Sequence, residues 1–387
     1  MSERFPEFDA KEFEDRWRRS RTLMEESRLD ALFVTSENNY RYLSGHVTPF
    51  WVSKSRPMFF LLPLRKDPIL FMTAGQITAA EATSWVRDVR SWEGFVREGV
   101  DLVVDSLREL GLAGGRVGAE LGHEQRLGLP FADFMRLQSL LPQAQFVDAA
   151  DLLWRLRIVK SAAEIEYLRR SAAIGGKAFH DTFRIVREGV REQELFATFA
   201  SSTIVQGAER HGYVPVQSGE GNYKRIATGP SNRSLRRGDL VWMDGGCVYR
   251  GYWSDFARMV AIGGATDLQR QRYRMVRAIM HRCVQVVRPG VTMAELTQLA
   301  MKQCVEAGVA LNAHSRIGHG IGLDITEPPS INLTDATVIQ PGMALTMEPT
   351  SSTDYGFFQL EENFVVTSEG TELLTEPAPE ELPVVAG

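Results

Sequence analysis

The sequence of 387 residues contains few cysteines, no long apolar run and no excess of positive charge, and each absence excludes a class of protein. Its three cysteines, Cys247, Cys283 and Cys304, have no C-x-x-C spacing, so they predict no disulfide framework, and a reducing cytoplasm fits them best. The longest strongly apolar run, residues 57–64, is far shorter than the roughly 20 residues that span a bilayer. The net charge of −5 argues against nucleic acid or an anionic membrane surface as a partner.

Sequence motifs of two common enzyme classes are also missing. No G-x-x-x-x-G-K-[ST] phosphate loop occurs, and the pair Gly245-Gly246 follows a predicted strand without opening a helix. There is neither a G-x-S-x-G elbow nor a Ser/His/Asp order. Residues 1–19 are too highly charged for a signal peptide, which also favours a cytoplasmic protein.

The length and the order of predicted elements indicate two α/β domains. In the first domain, helices are predicted at 11–28, 100–112 and 133–141 and strands at 31–35, 58–62, 69–73 and 116–120. The polar residues 37–46, which follow the first strand, are predicted to form a loop. A capping box of Ser161 and Glu164 begins a new helix. It places the domain boundary near residue 158, between an N-terminal domain at 1–157 and a C-terminal domain at 158–387.

The second domain contains an internal repeat. Residues 186–190, V-R-E-G-V, recur 101 positions later as V-R-P-G-V at 287–291, and both copies continue into E-L. Residues 238–244 recur 104 positions later at 342–348, and each of these segments ends in an acid. Two similarities in the same order at nearly the same offset predict a duplicated α/β half and an approximate internal two-fold symmetry.

Each half of the repeat supplies two acids, which are Asp244 and Asp255 in the first and Glu348 and Glu361 in the second. A glycine-containing link separates the members of each pair, so each pair is predicted on two successive antiparallel strands, where cross-strand neighbours lie about 5 Å apart. Four carboxylates in one apolar pocket repel one another and lose hydration, so they need cations. His319, in a glycine-rich stretch, adds an imidazole, and this ligand set suits two divalent ions of Mn²⁺, Co²⁺, Fe²⁺ or Zn²⁺.

These motifs resemble those of the metallopeptidase family with the pita-bread fold, which includes Xaa-Pro dipeptidase (prolidase), aminopeptidase P, methionine aminopeptidase and the non-peptidase creatinase. The matching segments are GDLVWMDGG with SDFAR, GHGIGLD with EPP, PGMALTMEP and LEENFVVTSEG. The first domain, with NNYRYLSG, resembles the amino-terminal domain of the prolidase–creatinase branch. The resemblance implies a small-molecule or dipeptide substrate and a homodimer.

The resemblance also implies a role for each acid. Asp244 corresponds to a ligand of one metal, Asp255 and Glu361 correspond to ligands that bridge both metals, and His319 and Glu348 correspond to ligands of the other metal. Glu348 is in addition the expected general base. Glu361 is taken as the ligand in preference to its neighbour, Glu362, because it keeps register with the following Val-Val-Thr.

The outer histidines of the resembling peptidases are replaced here. Thr326 stands where those peptidases usually have a second histidine, and it is therefore predicted to contact the substrate. His211 and His314 are the candidates for the missing catalytic role. Arg258 is predicted to hold a substrate carboxylate or a neighbouring acid, and Tyr42 and Trp51 belong to an aromatic loop that tends to approach the active site in two-domain relatives.

The sequence is consistent with three functions. The first is a dinuclear-metal hydrolase that cleaves a C–N bond in a small substrate, in the manner of an Xaa-Pro dipeptidase. The second keeps the fold and the metals but acts on a non-peptide metabolite, as a creatinase-like, ectoine-hydrolase-like or lyase-type enzyme, and the replaced histidines favour it. The third is an inactive protein that binds a ligand or partner through the same pocket, and the metal content of the purified protein would distinguish it from the other two.

Overall fold

A computed structural model describes residues 4–94, 96–223, 225, 228–308 and 316–386 of the chain. It divides into two compact units, Met1–Arg157 and Ile158–Gly387. Each unit is a mixture of helices and sheets with hydrophobic clusters of its own. Of the helices in the described ranges, none combines the length and the apolar character that a membrane crossing requires.

The first unit is built on a six-stranded mixed sheet with the strand order β4-β3-β2-β1-β5-β6. Its central strands are buried along their whole length because they consist of apolar residues. The strands are β1 Ala31–Val34, β2 Phe59–Pro63, β3 Ile69–Thr73, β4 Asp88–Trp92, β5 Arg116–Ala119 and β6 Gln145–Asp148. The helices are α1 Ala10–Glu26, α2 Glu37–Ser44, α3 Ile77–Thr83, α4 Val96–Glu109, α5 Phe131–Leu140 and α6 Ala150–Arg157, with short 3₁₀ turns at Pro49–Val52 and Ala74–Gln76.

Helix α2 corrects the prediction of a polar loop at residues 37–46. The helix ends at Gly45, whose φ of +72° is the left-handed conformation that glycine adopts without strain. One face of the helix buries Tyr40 and Leu43. On the polar side, the amide of Asn39 donates to the buried carboxylate of Glu120, 2.8 Å away. The prediction was wrong because this partner lies 81 residues away in the sequence, and no local pattern reveals it.

The second unit contains four helices and fourteen strands in the ranges that the structure describes. The helices are α7 Ala162–Phe183, α8 Glu192–Val205, α9 Asp267–Val286 and α10 Met293–Glu306, and α7 begins with the predicted capping box of Ser161 and Glu164. The strands are β7 Arg210–His211, β8 Val216–Ser218, β9 Leu240–Gly245, β10 Cys247–Tyr249, β11 Tyr252–Trp253, β12 Phe256–Ile262, β13 His319–Gly320, β14 Glu327–Ser330, β15 Ala344–Met347, β16 Thr350–Thr353, β17 Gly356–Gln359, β18 Glu362–Val366, β19 Thr371–Leu373 and β20 Val384–Val385.

The repeat found in the sequence corresponds to a repeated order of elements. A helix pair, α7–α8 or α9–α10, turns at a glycine with positive φ, which is Gly189 at +85° in the first copy and Gly290 at +92° in the second. Strands β9 and β15 follow, each preceded by a turn whose glycine, Gly238 or Gly342, has a φ of +88°. Strand β9 pairs antiparallel with β12, and β15 pairs antiparallel with β18. The two halves therefore present equivalent strand pairs.

Candidate metal centre

The two equivalent strand pairs bring the four acids to corresponding places. Asp244 lies near the end of β9, opposite Ala257 on β12, and Asp255 directly precedes β12. In the second half, Glu348 directly follows β15 and Glu361 directly precedes β18. Each pair thus sits at the end of an antiparallel ladder, where the chain leaves the regular strand.

Three side chains, those of Asp255, His319 and Glu361, converge most closely. One potential ligand atom from each lies within 4.8 Å of those of the other two, and all three residues are buried. The Nε2 atom of His319 lies 3.8 Å from Oδ2 of Asp255 and 3.7 Å from Oε1 of Glu348. The imidazole and the acids of both halves therefore face one common space.

Asp244 joins this group from the first half. The hydroxyl of Tyr213 donates to its Oδ2 at 3.1 Å, and its carboxyl group lies close enough to Asp255, Glu348 and Glu361 to raise their pKa values. Burial is the main reason why the pKa of Asp244 rises to about 6, and the hydrogen bond from Tyr213 opposes that rise. Four carboxyl groups from two homologous halves thus share one buried cluster.

The hydrogen bonding of the cluster fits a bound cation. One oxygen each of Asp244, Asp255 and Glu361 is buried without a hydrogen-bond partner among the described residues. Buried polar atoms are otherwise nearly always paired, so a group of orphaned carboxylate oxygens calls for a ligand. These oxygens are hard donors of the kind that divalent ions bind.

The protonation of His319 fits a metal as well. Its Nδ1 lies 2.9 Å from the carbonyl oxygen of Gly320, which can only accept, so Nδ1 carries the proton and Nε2 keeps its lone pair. Burial, together with the charge of the neighbouring Arg316, lowers the pKa of His319 to about 3. The ring is therefore neutral, with its free nitrogen facing Asp255 and Glu348.

Without a cation, burial favours the protonated form of the acids. Burial, together with the charge of Asp244, raises the pKa of Glu348 to about 7. Burial and the neighbouring carboxylates raise the pKa values of Asp255 and Glu361 well above their ordinary range. A divalent ion would replace these protons, because it stabilises the charged form of each carboxyl group.

Two adjacent glutamates have different environments. Glu361 has an orphaned Oε1 in the cluster. Glu362 is paired: Nη2 of Arg258 lies 2.8 Å from its Oε2, and the backbone N–H of Ala378 donates to its Oε1 at 2.7 Å. Arg258 thus holds Glu362, a neighbouring acid, which is one of the two roles predicted for it. Because the guanidinium group is used in this buried pair, the other predicted role, a contact with substrate, has no support.

The remaining predicted residues lie in varied surroundings. His211 is exposed on β7, and its Nδ1 donates to the carbonyl oxygen of Gly212 at 2.6 Å. Tyr42 is buried in the first unit, and its hydroxyl donates to the carbonyl oxygen of Leu156, which argues against the predicted contact with substrate. Trp51 packs edge-on against Tyr40 in the same unit, with ring centroids 5.1 Å apart. His314 lies outside the described residues.

Three further residues at the cluster were missed by sequence reasoning. The hydroxyl of Tyr213 contacts Asp244, the amide of Gln359 donates to Oε2 of Glu348 at 2.8 Å, and Nε of Arg316 lies 3.8 Å from Oε1 of Glu348. Arg316 and Gln359 stand within three positions of His319 and Glu361 in the sequence. That proximity is a signal that could have found them.

Comparison with known families decides the classification. Residues 166–368, more than half of the chain, match the model of metallopeptidase family M24, and residues 16–159 match the creatinase/prolidase N-terminal domain. The chain belongs to metallopeptidase family M24. As a member of this family it is a metal-dependent hydrolase, with a creatinase-like N-terminal domain and a C-terminal M24 domain. The resemblance to the pita-bread metallopeptidases that the sequence motifs indicated is confirmed.

Relatives of this M24 chain match it along most of its length. An Xaa-Pro dipeptidase of Pyrococcus horikoshii is 26% identical over 360 residues, which cover 91% of this chain and 94% of the relative. An Xaa-Pro dipeptidase of Pyrococcus furiosus is 31% identical over 258 residues, which cover 66% of this chain and 73% of the relative. The solved structure of an Xaa-Pro dipeptidase from Bacillus anthracis superimposes with a TM-score of 0.86 at 26% identity, covering 96% of this chain and 100% of that one.

The raised pKa values predict how the metal-free protein responds to pH. A carboxyl group whose pKa is higher in the folded than in the unfolded chain binds more protons when folded. The free energy of unfolding therefore falls as the pH rises from about 4 to about 7, the window between the ordinary values and those of Asp244 and Glu348. Denaturation of metal-stripped and Mn²⁺-loaded protein across this window should show a difference in the free energy of unfolding that grows with pH by a few kcal/mol, because a pKa change of one unit corresponds to about 1.4 kcal/mol. A difference that does not change with pH would contradict the prediction, and comparing the two forms cancels the contribution of carboxyl groups far from the cluster.

Proposed function

We propose that the chain is an Xaa-Pro dipeptidase that uses two divalent metal ions, drawn from Mn²⁺, Co²⁺, Zn²⁺ and Fe²⁺. The observation that carries the proposal is the buried cluster of carboxyl groups from both halves of the repeat, three of them with an orphaned oxygen, around the neutral imidazole of His319. The dipeptidases of similar sequence, which align with most of the chain, support the choice of substrate.

The residues proposed to hold the metals are Asp244, Asp255, His319, Glu348 and Glu361. Their donor set is four carboxyl groups and one imidazole, which suits borderline and hard divalent ions. Metal ions at such a site polarise a carbonyl group and lower the pKa of a bound water to about 7. The protein has to supply orientation, a proton carrier and a dry environment.

Glu348 is proposed as the proton carrier. Its side chain is 18% exposed, against 3% for Asp255 and His319, so it is the acid of the cluster that substrate and water reach most easily. Gln359 donates to Oε2 and so orients the carboxyl group, while Oε1 faces His319. Glu348 would take a proton from the attacking water and deliver it to the nitrogen of the departing proline.

The homodimer and the cytoplasmic location expected from the sequence are part of the proposal. An exposed apolar segment in the first unit, the turn Pro49–Val52 with Val52 at its end, is compatible with a partner surface. A dipeptide is the proposed substrate, because the similar proteins are named for that activity.

Hydrolysis of defined dipeptides tests the proposed function. Metal-stripped protein reloaded with Mn²⁺, Co²⁺ or Zn²⁺ is expected to release proline from Ala-Pro, while the stripped protein is expected to release none. Pro-Ala, which has the same composition with the reverse bond, serves as the control substrate and is expected to stay intact. Stoichiometric metal binding without hydrolysis of any Xaa-Pro dipeptide would contradict the proposal and direct the search to small non-peptide amides.

A further inference from the structure

Arg316 is a cation at the accessible side of the metal centre. Its Nε lies 3.8 Å from Oε1 of Glu348, and its Nη2 donates to the hydroxyl oxygen of Thr326 at 3.3 Å. Its side chain is 35% exposed, whereas those of Asp255 and His319 are almost completely buried. The guanidinium group therefore lies between the buried acids and the solvent from which a substrate arrives.

Two other cations near the centre are used differently. Lys160 lies 3.0 Å from Glu327 in an ion pair whose members are both 1% exposed. Arg258 is bound in the same way by Glu362. In a buried pair of this kind the two charges neutralise each other, so neither is available to a ligand. Arg316 differs from both because it is part-exposed and because 3.8 Å is too long for a hydrogen bond to Glu348.

Among the residues that the structure describes, the guanidinium group of Arg316 donates a hydrogen bond to Thr326 alone, so it keeps donors for a ligand. Arginine presents five N–H donors in a planar fork that matches the oxygens of carboxylates and tetrahedral anions. The hydrogen bond to Thr326 occupies one of these donors and fixes the plane of the fork. Its acceptor is a neutral hydroxyl, so the carboxylate that faces the positive charge is that of Glu348, 3.8 Å away. Once metal ions take up the charge of Glu348, that positive charge faces the substrate.

We propose that Arg316 is a catalytic residue that binds an anionic oxygen of the substrate, and that Thr326 positions its guanidinium group. The proposal rests on the proposed function, since it places the substrate beside Glu348. When water attacks, a new C–O bond forms, and the electron pair of the C=O double bond moves onto the carbonyl oxygen. The C–N bond then breaks as the pair returns, and the nitrogen takes the proton that Glu348 carries. A fixed cation stabilises that oxygen while it is charged.

Four variants test the two residues. The change Arg316→Met, which keeps an unbranched side chain without the charge, is expected to lower kcat/KM by about 10²- to 10³-fold, the range observed when an oxyanion donor is removed. Arg316→Lys keeps the charge but not the fork and is expected to recover part of this loss. Thr326→Val is expected to lower kcat/KM by less than Arg316→Met does. Its matched control Thr326→Ser, which keeps the hydroxyl, is expected to lower kcat/KM by less than Thr326→Val does. Metal content, measured for each variant, confirms that the centre is intact.

A pair of substrates distinguishes the two sources of an anionic oxygen. If Arg316 binds the carbonyl oxygen as it gains charge, Arg316→Met lowers kcat equally for Ala-Pro and for Ala-Pro amide. If it binds the terminal carboxylate, the variant raises KM for Ala-Pro and leaves the amide, which has no carboxylate, unaffected. Either pattern supports binding of an anionic oxygen, and unchanged kcat and KM on both substrates would overturn it.

A measurement that does not depend on turnover separates this inference from the proposed function. Inorganic phosphate, a stable tetrahedral anion, is titrated into Mn²⁺-loaded protein in a calorimeter. Arg316→Met is expected to weaken phosphate binding roughly 10- to 100-fold, the loss of a hydrogen bond to a charged group. If the wild type fails to hydrolyse Xaa-Pro dipeptides but its phosphate affinity still depends on Arg316, the proposed function fails and the anion site stands. Equal phosphate affinity in the wild type and the metal-loaded Arg316→Met variant would overturn the anion site.

Discussion

Glu361→Gln is expected to abolish metal binding and activity without destabilising the metal-free protein. The glutamine side chain has the same shape but no charge, so it avoids both the burial of a charge and the repulsion by neighbouring carboxylates, which raise the pKa of Glu361. Activity is expected to fall by at least about 10³-fold, because the chemistry that a metal supplies is lost with it. Metal content by mass spectrometry, dipeptide hydrolysis and the denaturation midpoint measure the three effects.

Glu362→Gln, one position further, is expected to destabilise the protein and to leave metal binding intact. The substitution removes the charge that pairs with Arg258 at 2.8 Å, in a place where the glutamate side chain is fully buried. Breaking a buried pair leaves an uncompensated charge and costs about 3–5 kcal/mol. Stability should fall, whereas the molecules that remain folded should still bind metal.

The two adjacent variants control for each other. They make the same chemical change in neighbouring residues, so expression, charge and handling are matched. Loss of metal in Glu362→Gln with retention in Glu361→Gln would reverse the assignment of the ligand. Loss of metal in both would show that the strand end, and not one carboxylate, determines binding.

Glu348→Gln is expected to lower kcat by about 10²- to 10⁴-fold, the contribution of a general acid–base group. The amide cannot accept and return a proton, but it keeps the size of the side chain and an oxygen that can face the metals. KM should change little, because the lost interaction acts mainly in the transition state. Initial rates on Ala-Pro at saturating Mn²⁺ measure both constants.

The activities of two control variants are compared with that of Glu348→Gln. Gln359→Leu removes the amide that donates to Oε2 of Glu348, and a group of this orienting kind typically contributes about 10- to 100-fold to activity. Glu372→Gln removes a half-exposed glutamate that pairs with Arg169, and it is expected to keep wild-type activity. A Glu348→Gln enzyme as active as the Glu372→Gln control would exclude Glu348 as the proton carrier.

Local patterns explain why much of the fold could be predicted. Strand β3 at Ile69–Thr73 has the predicted bounds, and the capping box of Ser161 and Glu164 begins α7 as expected. The repeat was visible because two turns of each half need glycine in a left-handed conformation, as Gly189 and Gly290 show. Helix α2 was missed because the side chain of Asn39, on its polar side, is hydrogen-bonded to Glu120, a partner distant in sequence.

In the candidate site, too, local patterns predict part of the arrangement and contacts between distant segments decide the rest. The sequence places Glu361 and Glu362 next to each other at the start of a strand, and side chains of successive strand residues point to opposite faces. Which face meets the acids of the other half depends on how the two halves pack, and the structure brings Glu361 to Asp255 and His319 and Glu362 to Arg258. Arg316, Tyr213 and Gln359 were missed for the same reason, since their roles come from contacts and not from motifs.

The sequence by itself determined the secondary structure around the site, the duplication and the family, because helix caps, strand patterns and glycine turns act over a few residues. Only the tertiary structure decided which charged groups are paired and which are left for a ligand. Burial and distance set the pKa values of Asp244 and Glu348 and place Arg316 beside Glu348. Burial and short distances both arise when segments far apart in the chain come together.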